Sequence, residues 1–231
     1  MILVTGAAGV LGQAVIATLA ARGEAVAAVD LAPTIPSAGQ RLSFGSVDLA
    51  DPAAGAALLA QLAGSSGAGP TGTGAAPLTG LVNVAGGFVW ETVGEGGWGS
   101  WERMYRINVQ TAFEASRFAL PALRSTRGAI VNVSAAATAR AGAGMGAYTA
   151  AKSAVSRLTE ALAAEELGNG VRVNAVMPSV IDTPANRRDM PDADPGRWVT
   201  PTEIAEVVAF LLSPAASGVT GALVPVVGRV G

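Results

Sequence analysis

Met1-Ile2-Leu3-Val4-Thr5-Gly6-Ala7-Ala8-Gly9-Val10-Leu11-Gly12 reads as a short apolar run that breaks at a glycine and continues, two glycines later, into a helical stretch over residues 11–22. This pattern predicts a strand, a tight turn and a helix. Glycine reaches positive φ and lets the backbone come close to another group, while the helix start offers unpaired N–H groups and a positive dipole end. Such a turn suits a pyrophosphate, with Gly6, Gly9, Val10, Leu11 and Gly12 around it; Gly12 also permits close packing of helix on strand. Three glycines in a chain that holds 30 say little alone. Their place between a first strand and a first helix is what gives them meaning.

Outward from this turn, a second apolar run over 25–29 ends at Asp30, eighteen residues beyond Gly12. Strand, turn, helix and strand form one βαβ unit with a right-handed crossover. A carboxylate at Asp30 can accept hydrogen bonds from adenosine ribose hydroxyls and repels a 2′-phosphate. Leu31-Ala32-Pro33 adds no cation to welcome one. The expected cofactor is therefore NAD(H) and not NADP(H); the plainer alternative is that Asp30 caps a loop.

The alternation continues. Residues 42–47 read as a strand, and Asp51-Pro52 supplies an N-cap and a first-turn proline for a helix to residue 63. Residues 64–79 are rich in Gly, Ser, Thr and Pro and read as a flexible loop. Strand 81–85, a helix over 98–124, strand 129–134, a helix from Tyr148, and strand 171–176 follow. Thr200-Pro201-Thr202-Glu203 is a capping box ahead of the stripe Ile204, Val207, Val208, Leu211 and Leu212, and residues 223–227 make a last strand. About seven strands alternating with helices predict one α/β domain over 1–231, a doubly wound parallel sheet with helices on both faces.

Composition narrows the chemistry. Half of the 231 residues are apolar, enough for a sizeable core, and a net charge of −2 marks no nucleic-acid or anionic-membrane partner. Without Cys or His there is no disulfide, thiolate nucleophile or histidine base, and no metal site is expected. No apolar run nears the ~20 residues of a membrane span, and the N-terminus reads as a strand, not a secretory signal. A cytoplasmic protein is the expectation. Proton chemistry near neutral pH falls to a shifted Tyr, Lys, Asp or Glu. Tyr148-Thr149-Ala150-Ala151-Lys152 places a phenol and an amine four residues apart, on one helix face. An ammonium beside a phenol is expected to lower the Tyr pKa from about 10 toward neutrality.

Thr5–Gly12, Asp30, Asp48-Leu49, Asn83-Val84-Ala85-Gly86, Asn108, Asn132-Val133-Ser134, Tyr148–Lys152 and the stretch 178–183 together resemble the short-chain dehydrogenase/reductase family over essentially the whole chain. The resemblance implies a single Rossmann-type domain and an NAD(H)-dependent oxidoreductase acting on a carbonyl or alcohol of a small molecule. It implies Tyr148 as proton donor or acceptor, Lys152 on the nicotinamide ribose, and Asn108 holding a water in a proton relay. Asp48 and Leu49 then lie by the adenine, Ala85 and Gly86 beside the cofactor, and Pro178, Ile181 and Thr183 at the nicotinamide end. A homotetramer or homodimer is also implied.

This sequence departs from the family pattern twice. Val10 stands at the middle glycine of the family turn, and Ala135 stands thirteen residues before Tyr148, where the family carries a substrate-binding Ser. Ser134 is adjacent, but alternation along a strand turns it the other way; a local bulge or Thr138 is left as compensation. The segment 182–194 with Trp198, the Gly6/Gly9/Gly12 spacing and Ala85-Gly86-Gly87 locally resemble dihydropteridine reductase, which lacks that Ser too. Reduction of a quinonoid pterin, or a catalytically impaired nucleotide-binding protein, are thus the alternative expectations. Phe88, Trp90, Met145, Asn186 and Arg187 are the substrate-contact candidates, the last two in a substrate loop over 184–199. Trp98 and Trp101 read as helix-start packing.

Overall fold

The computed structural model describes residues 1–64 and 76–230; most of the loop expected over 64–79 lies outside the described residues. Seven parallel strands are laid out in the order β3-β2-β1-β4-β5-β6-β7. They are β1 (Ile2–Thr5), β2 (Val26–Val29), β3 (Leu42–Phe44), β4 (Gly80–Asn83), β5 (Ala129–Val133), β6 (Arg172–Pro178) and β7 (Leu223–Val226). The helices are α1 (Val10–Ala21), α2 (Pro52–Gly64), α3 (Trp98–Tyr105), α4 (Thr111–Thr126), α5 (Gly146–Glu165), α6 (Pro184–Asp189) and α7 (Pro201–Leu212). The doubly wound α/β architecture read from the sequence is the one observed.

Every residue of β1, β2, β4 and β5 is buried, as expected of parallel strands covered on both faces. Alternation divides β1 between two cores. Ile2 and Val4 join Val15, Ile16 and Leu19 of α1 and Ile204, Val208 and Leu211 of α7. Leu3 joins Leu58 and Leu62 of α2, Ala119 and Leu123 of α4, and Leu162 of α5. The chain order reverses between β1 and β4, and the crevice outside their carboxyl ends is where ligands of open α/β sheets bind. Thr5 ties the two ends together: its Oγ1 accepts from Val84 N at 3.0 Å and Ala85 N at 3.1 Å.

Three elements differ from the expectation. Residues 184–189 of the expected substrate loop form the helix α6, with Thr183 as its N-cap and Pro184 in its first turn. The strand predicted over 42–47 stops at Phe44, because Gly45 and Ser46, the latter at φ +58°, turn the chain back onto the Ala32 carbonyl. The single helix predicted over 98–124 contains a π-helical turn, Arg106–Gln110, between α3 and α4. The stabilising contacts of that turn are side-chain bonds which periodicity does not report. No helix among the described residues is long and apolar enough to cross a membrane.

The start of α7 carries the capping box in full. Thr200 Oγ1 accepts from Glu203 N at 3.2 Å, and the Glu203 carboxylate accepts from Thr200 N at 2.8 Å. Thr200→Ala is expected to cost about 1 kcal/mol, read as a lower urea midpoint with unchanged slope, while Thr200→Ser retains most of the stability.

Candidate active site

The glycine turn fits a pyrophosphate. Gly6 stands at φ +62°, and a Cβ there would come within 2.7 Å of Ala85 N and 2.8 Å of Ala85 Cα. A Cβ at Gly12 would collide with the Gly6 carbonyl, so α1 leaves the sheet at a distance only glycine allows. Gly9, the N-cap of α1, differs: its φ is −75° and its nearest neighbour to a Cβ is 3.4 Å away. Nothing in the surrounding protein demands glycine there, which leaves room for a ligand as its reason. The first turn of α1 has neither a side-chain cap nor an acidic residue of its own, so its N–H groups are left for other acceptors.

Asp30 fills the plainer of the two parts weighed for it, tying down the loop that follows β2. Its Oδ2 accepts from Ala8 N and its Oδ1 from Ala32 N, each at 2.8 Å, which fastens the glycine turn to the loop after β2. A carboxylate has lone pairs to spare for hydroxyls beyond these two bonds. Asp48 Oδ1 accepts from Ala50 N at 3.0 Å and Oδ2 from Arg106 Nη2 at 2.6 Å, with the guanidinium holding the carboxyl below the usual range. Leu49 beside it is buried.

Two of the three candidate reactive residues lie on the first turns of α5. Lys152, the chain's only lysine, is 6 % exposed, and its Nζ donates to the Val133 carbonyl at 2.9 Å. Asn108 sits in the π-helical turn, donating from Nδ2 to Met104 O at 2.9 Å and Gly87 O at 3.1 Å and accepting from Gly87 N at 3.2 Å. Gly86 separates the two groups: a Cβ there would strike Asn108 Oδ1 and lie 3.3 Å from Lys152 Nζ. Tyr148 is one helical turn before Lys152, its ring packed against Phe88 at a centroid separation of 5.0 Å and an angle of 78°.

Here the electrostatic expectation is corrected. Burial pushes the Tyr148 phenol up to about 12, where the sequence predicts a fall toward neutrality. Burial also brings Lys152 down to about 8. The ammonium is committed to the Val133 carbonyl, and desolvation of the phenol prevails over any effect of its charge.

Ser134 turns into α5, donating to Lys152 O at 3.0 Å and lying 2.7 Å from Ser156 Oγ. Ala135 is buried, in extended conformation, and no bulge brings Ser134 round to its place. Thr138 Oγ1 donates to Ala135 O at 2.8 Å. Pro178 ends β6, Ile181 bridges to Val199, and the Thr183 hydroxyl caps α6 by accepting from Asn186 N.

Of the substrate candidates, Phe88 covers Tyr148, Trp90 lies over Gly144, and Met145 is the N-cap of α5. The other two lie in α6 and are engaged by the residues just before it. Asn186 Nδ2 donates to Ile181 O at 2.7 Å, and Arg187 grips Asp182 with two bonds of 2.6 and 2.8 Å. Sequence reasoning missed a cleft of about 310 Å³ lined by Glu91, Thr92, Val93, Trp98, Trp101 and Ala147. Trp98 and Trp101 stack there at 6.1 Å; the run of aromatics from Phe88 to Trp101 was the available signal.

The Lys152 shift makes a stability prediction with a definite sign. Between pH 8 and the ordinary 10.5, the unfolded chain holds a proton that the folded chain has released, so folding becomes more favourable as pH rises. Relative to Lys152→Met, the protein should gain on the order of 1 kcal/mol per pH unit from pH 8 to 10, measured by urea unfolding. A constant difference contradicts the shift.

The family model for short chain dehydrogenases matches residues 1–194. Meso-2,3-butanediol dehydrogenase of Serratia marcescens is 32 % identical over 99 % of this chain and 93 % of its own. Cis-4-hydroxycyclohexanecarboxylate dehydrogenase of Sinomonas cyclohexanicum is 35 % identical over 98 % and 94 %. Inactive 2-(S)-hydroxypropyl-CoM dehydrogenase 2 of Xanthobacter autotrophicus is 42 % identical over 66 % and 73 %. A short-chain type dehydrogenase/reductase from Mycobacterium ulcerans superimposes with a TM-score of 0.86 at 25 % identity, covering 99 % of this chain and 88 % of that one. The chain therefore belongs to the short-chain dehydrogenase family, oxidoreductases that use a nicotinamide cofactor.

Proposed function

We propose that this chain moves a hydride between NAD(H) and the carbonyl or alcohol carbon of a small molecule, with Tyr148 exchanging the proton. The observation that carries the reading is the placing of Asn108 and Lys152 on either side of Gly86, just beyond β4 at the sheet's switch point, with Tyr148 one helical turn before Lys152. Gly6, Gly9, Val10, Leu11 and Gly12 would hold the pyrophosphate, Asp30 the adenosine ribose, and Asp48 and Leu49 the adenine. Ala85, Gly86, Lys152, Pro178, Ile181 and Thr183 would line the nicotinamide end. When bound, the nicotinamide supplies or accepts the hydride.

The protein's own part is positioning and proton transfer. In reduction the Tyr148 hydroxyl donates its proton to the substrate oxygen; in oxidation the Tyr148 phenolate accepts the proton of the alcohol. Lys152 holds positive charge close to the phenolate that reduction leaves behind, and Asn108 fixes the backbone at Gly87. Asp30 disfavours a 2′-phosphate by charge, which supports NAD(H). Phe88, Trp90 and Met145 shape the substrate side. Two relatives matched along more than nine-tenths of their length are named for secondary alcohols, which supports a ketone or secondary alcohol here. The reading includes a cytoplasmic homodimer or homotetramer, with exposed Tyr105 and Phe113 on the α3–α4 run available for contact.

Ala135 favours a second reading. No hydroxyl stands where the family binds the substrate oxygen, and one relative is named inactive. A substrate that needs no such donor, such as a quinonoid dihydropterin, or a catalytically impaired nucleotide binder accounts for this. NADH oxidation with ketones, diketones and quinonoid dihydropterin separates the readings, and tight NADH binding without turnover of any of them overturns the enzyme. With an active substrate, Tyr148→Phe should lower kcat/KM by about 10²–10⁴, with NADH affinity kept. Ala135→Ser should raise kcat for a ketone.

A further inference from the structure

We propose that Arg106 and Gln110 are positioning residues that couple the adenine end of the nucleotide site to Asn108. The inference rests on the nucleotide reading above.

The π-helical turn Arg106–Gln110 closes its hydrogen-bonded rings over one more residue than an α-helix does, a costly arrangement that persists where other contacts hold it. Those contacts run in two directions. Inward, Asn108 bonds both the N–H and the carbonyl of Gly87, next to Gly86 and Lys152. Outward, Arg106 Nη2 donates to Asp48 Oδ2 at 2.6 Å, and Gln110 Nε2 donates to Ala50 O at 2.8 Å. Arg106 and Gln110 are four residues apart, so they share a face and bracket Asn108. Their acceptors belong to one short loop between β3 and α2, braced by the bond from Ala50 N to Asp48 Oδ1. The turn that aims Asn108 is thus tethered twice to the loop that the nucleotide reading places under the adenine.

The tether is built to respond to that base. Arg106 and Asp48 are 50 % and 37 % exposed, so water weakens their attraction in the free protein. A base seated on Asp48 and Leu49 excludes that water and strengthens the pair. Occupancy of the adenine end then steadies the π-helical turn, and with it the hold of Asn108 on Gly87.

Amide hydrogen exchange of the full chain with and without NADH tests this, in the parent protein, Arg106→Leu and Arg106→Lys. In the parent, NADH should slow exchange both at 6–12 and at 106–112, the latter on the order of tenfold. Arg106→Leu should keep the slowing at 6–12 and lose most of it at 106–112, and Arg106→Lys, which keeps the charge, should restore part of it. A purely structural arginine would change exchange equally with and without NADH, and that result overturns the inference. Slowing at 6–12 but not at 106–112 in the parent overturns it alone. No slowing at 6–12 overturns the nucleotide reading with it.

Discussion

A buried ammonium must be given a partner or give up its proton. Lys152 is buried in the apolar start of α5, and its partner is the Val133 carbonyl at the end of β5. The rest of the site is arranged around that bond. It sets the rotation of α5 against the sheet, which places Tyr148 one turn earlier against Phe88 and brings Lys152 up to Gly86 opposite Asn108. Ser134 strengthens the same junction from behind, through Lys152 O and Ser156. A side chain suited to the substrate pocket is here part of the joint between helix and strand.

The fold delivers this junction to the crevice where ligands of open α/β sheets bind. Reversal of chain order between β1 and β4 opens the crevice, and Thr5 holds its two lips together through Val84 N and Ala85 N. Gly6 and Gly12 then bring the backbone of the turn, of Ala85 and of α1 into contact. The glycine turn, the Gly86 region and the start of α5 are consequently one continuous surface.

The strands and most helices were legible because buried parallel strands are unbroken apolar runs, and because the cap at Thr200 and the glycine turn are local chemistry. The π-helical turn was not, since its stabilising bonds reach from Arg106, Asn108 and Gln110 to residues far away in the chain. The same holds for Arg187: a loop arginine reads as free until Asp182 is seen gripping it. The chain's family was legible from spaced motifs. The direction of the Tyr148 shift was not, because sequence spacing shows the neighbouring charge and is blind to the burial that opposes it.

Under the proposed reading, Lys152 prevails over that burial and acts on Tyr148 once a nucleotide completes the site. Ultraviolet titration of phenolate formation, in a Tyr105→Phe background that leaves Tyr148 as the one tyrosine, measures it directly. The account predicts that the phenol, near 12 in the free protein, ionises at markedly lower pH when NAD⁺ is bound, and that Lys152→Met abolishes the fall. A titration that NAD⁺ leaves unmoved, with binding verified, would contradict it.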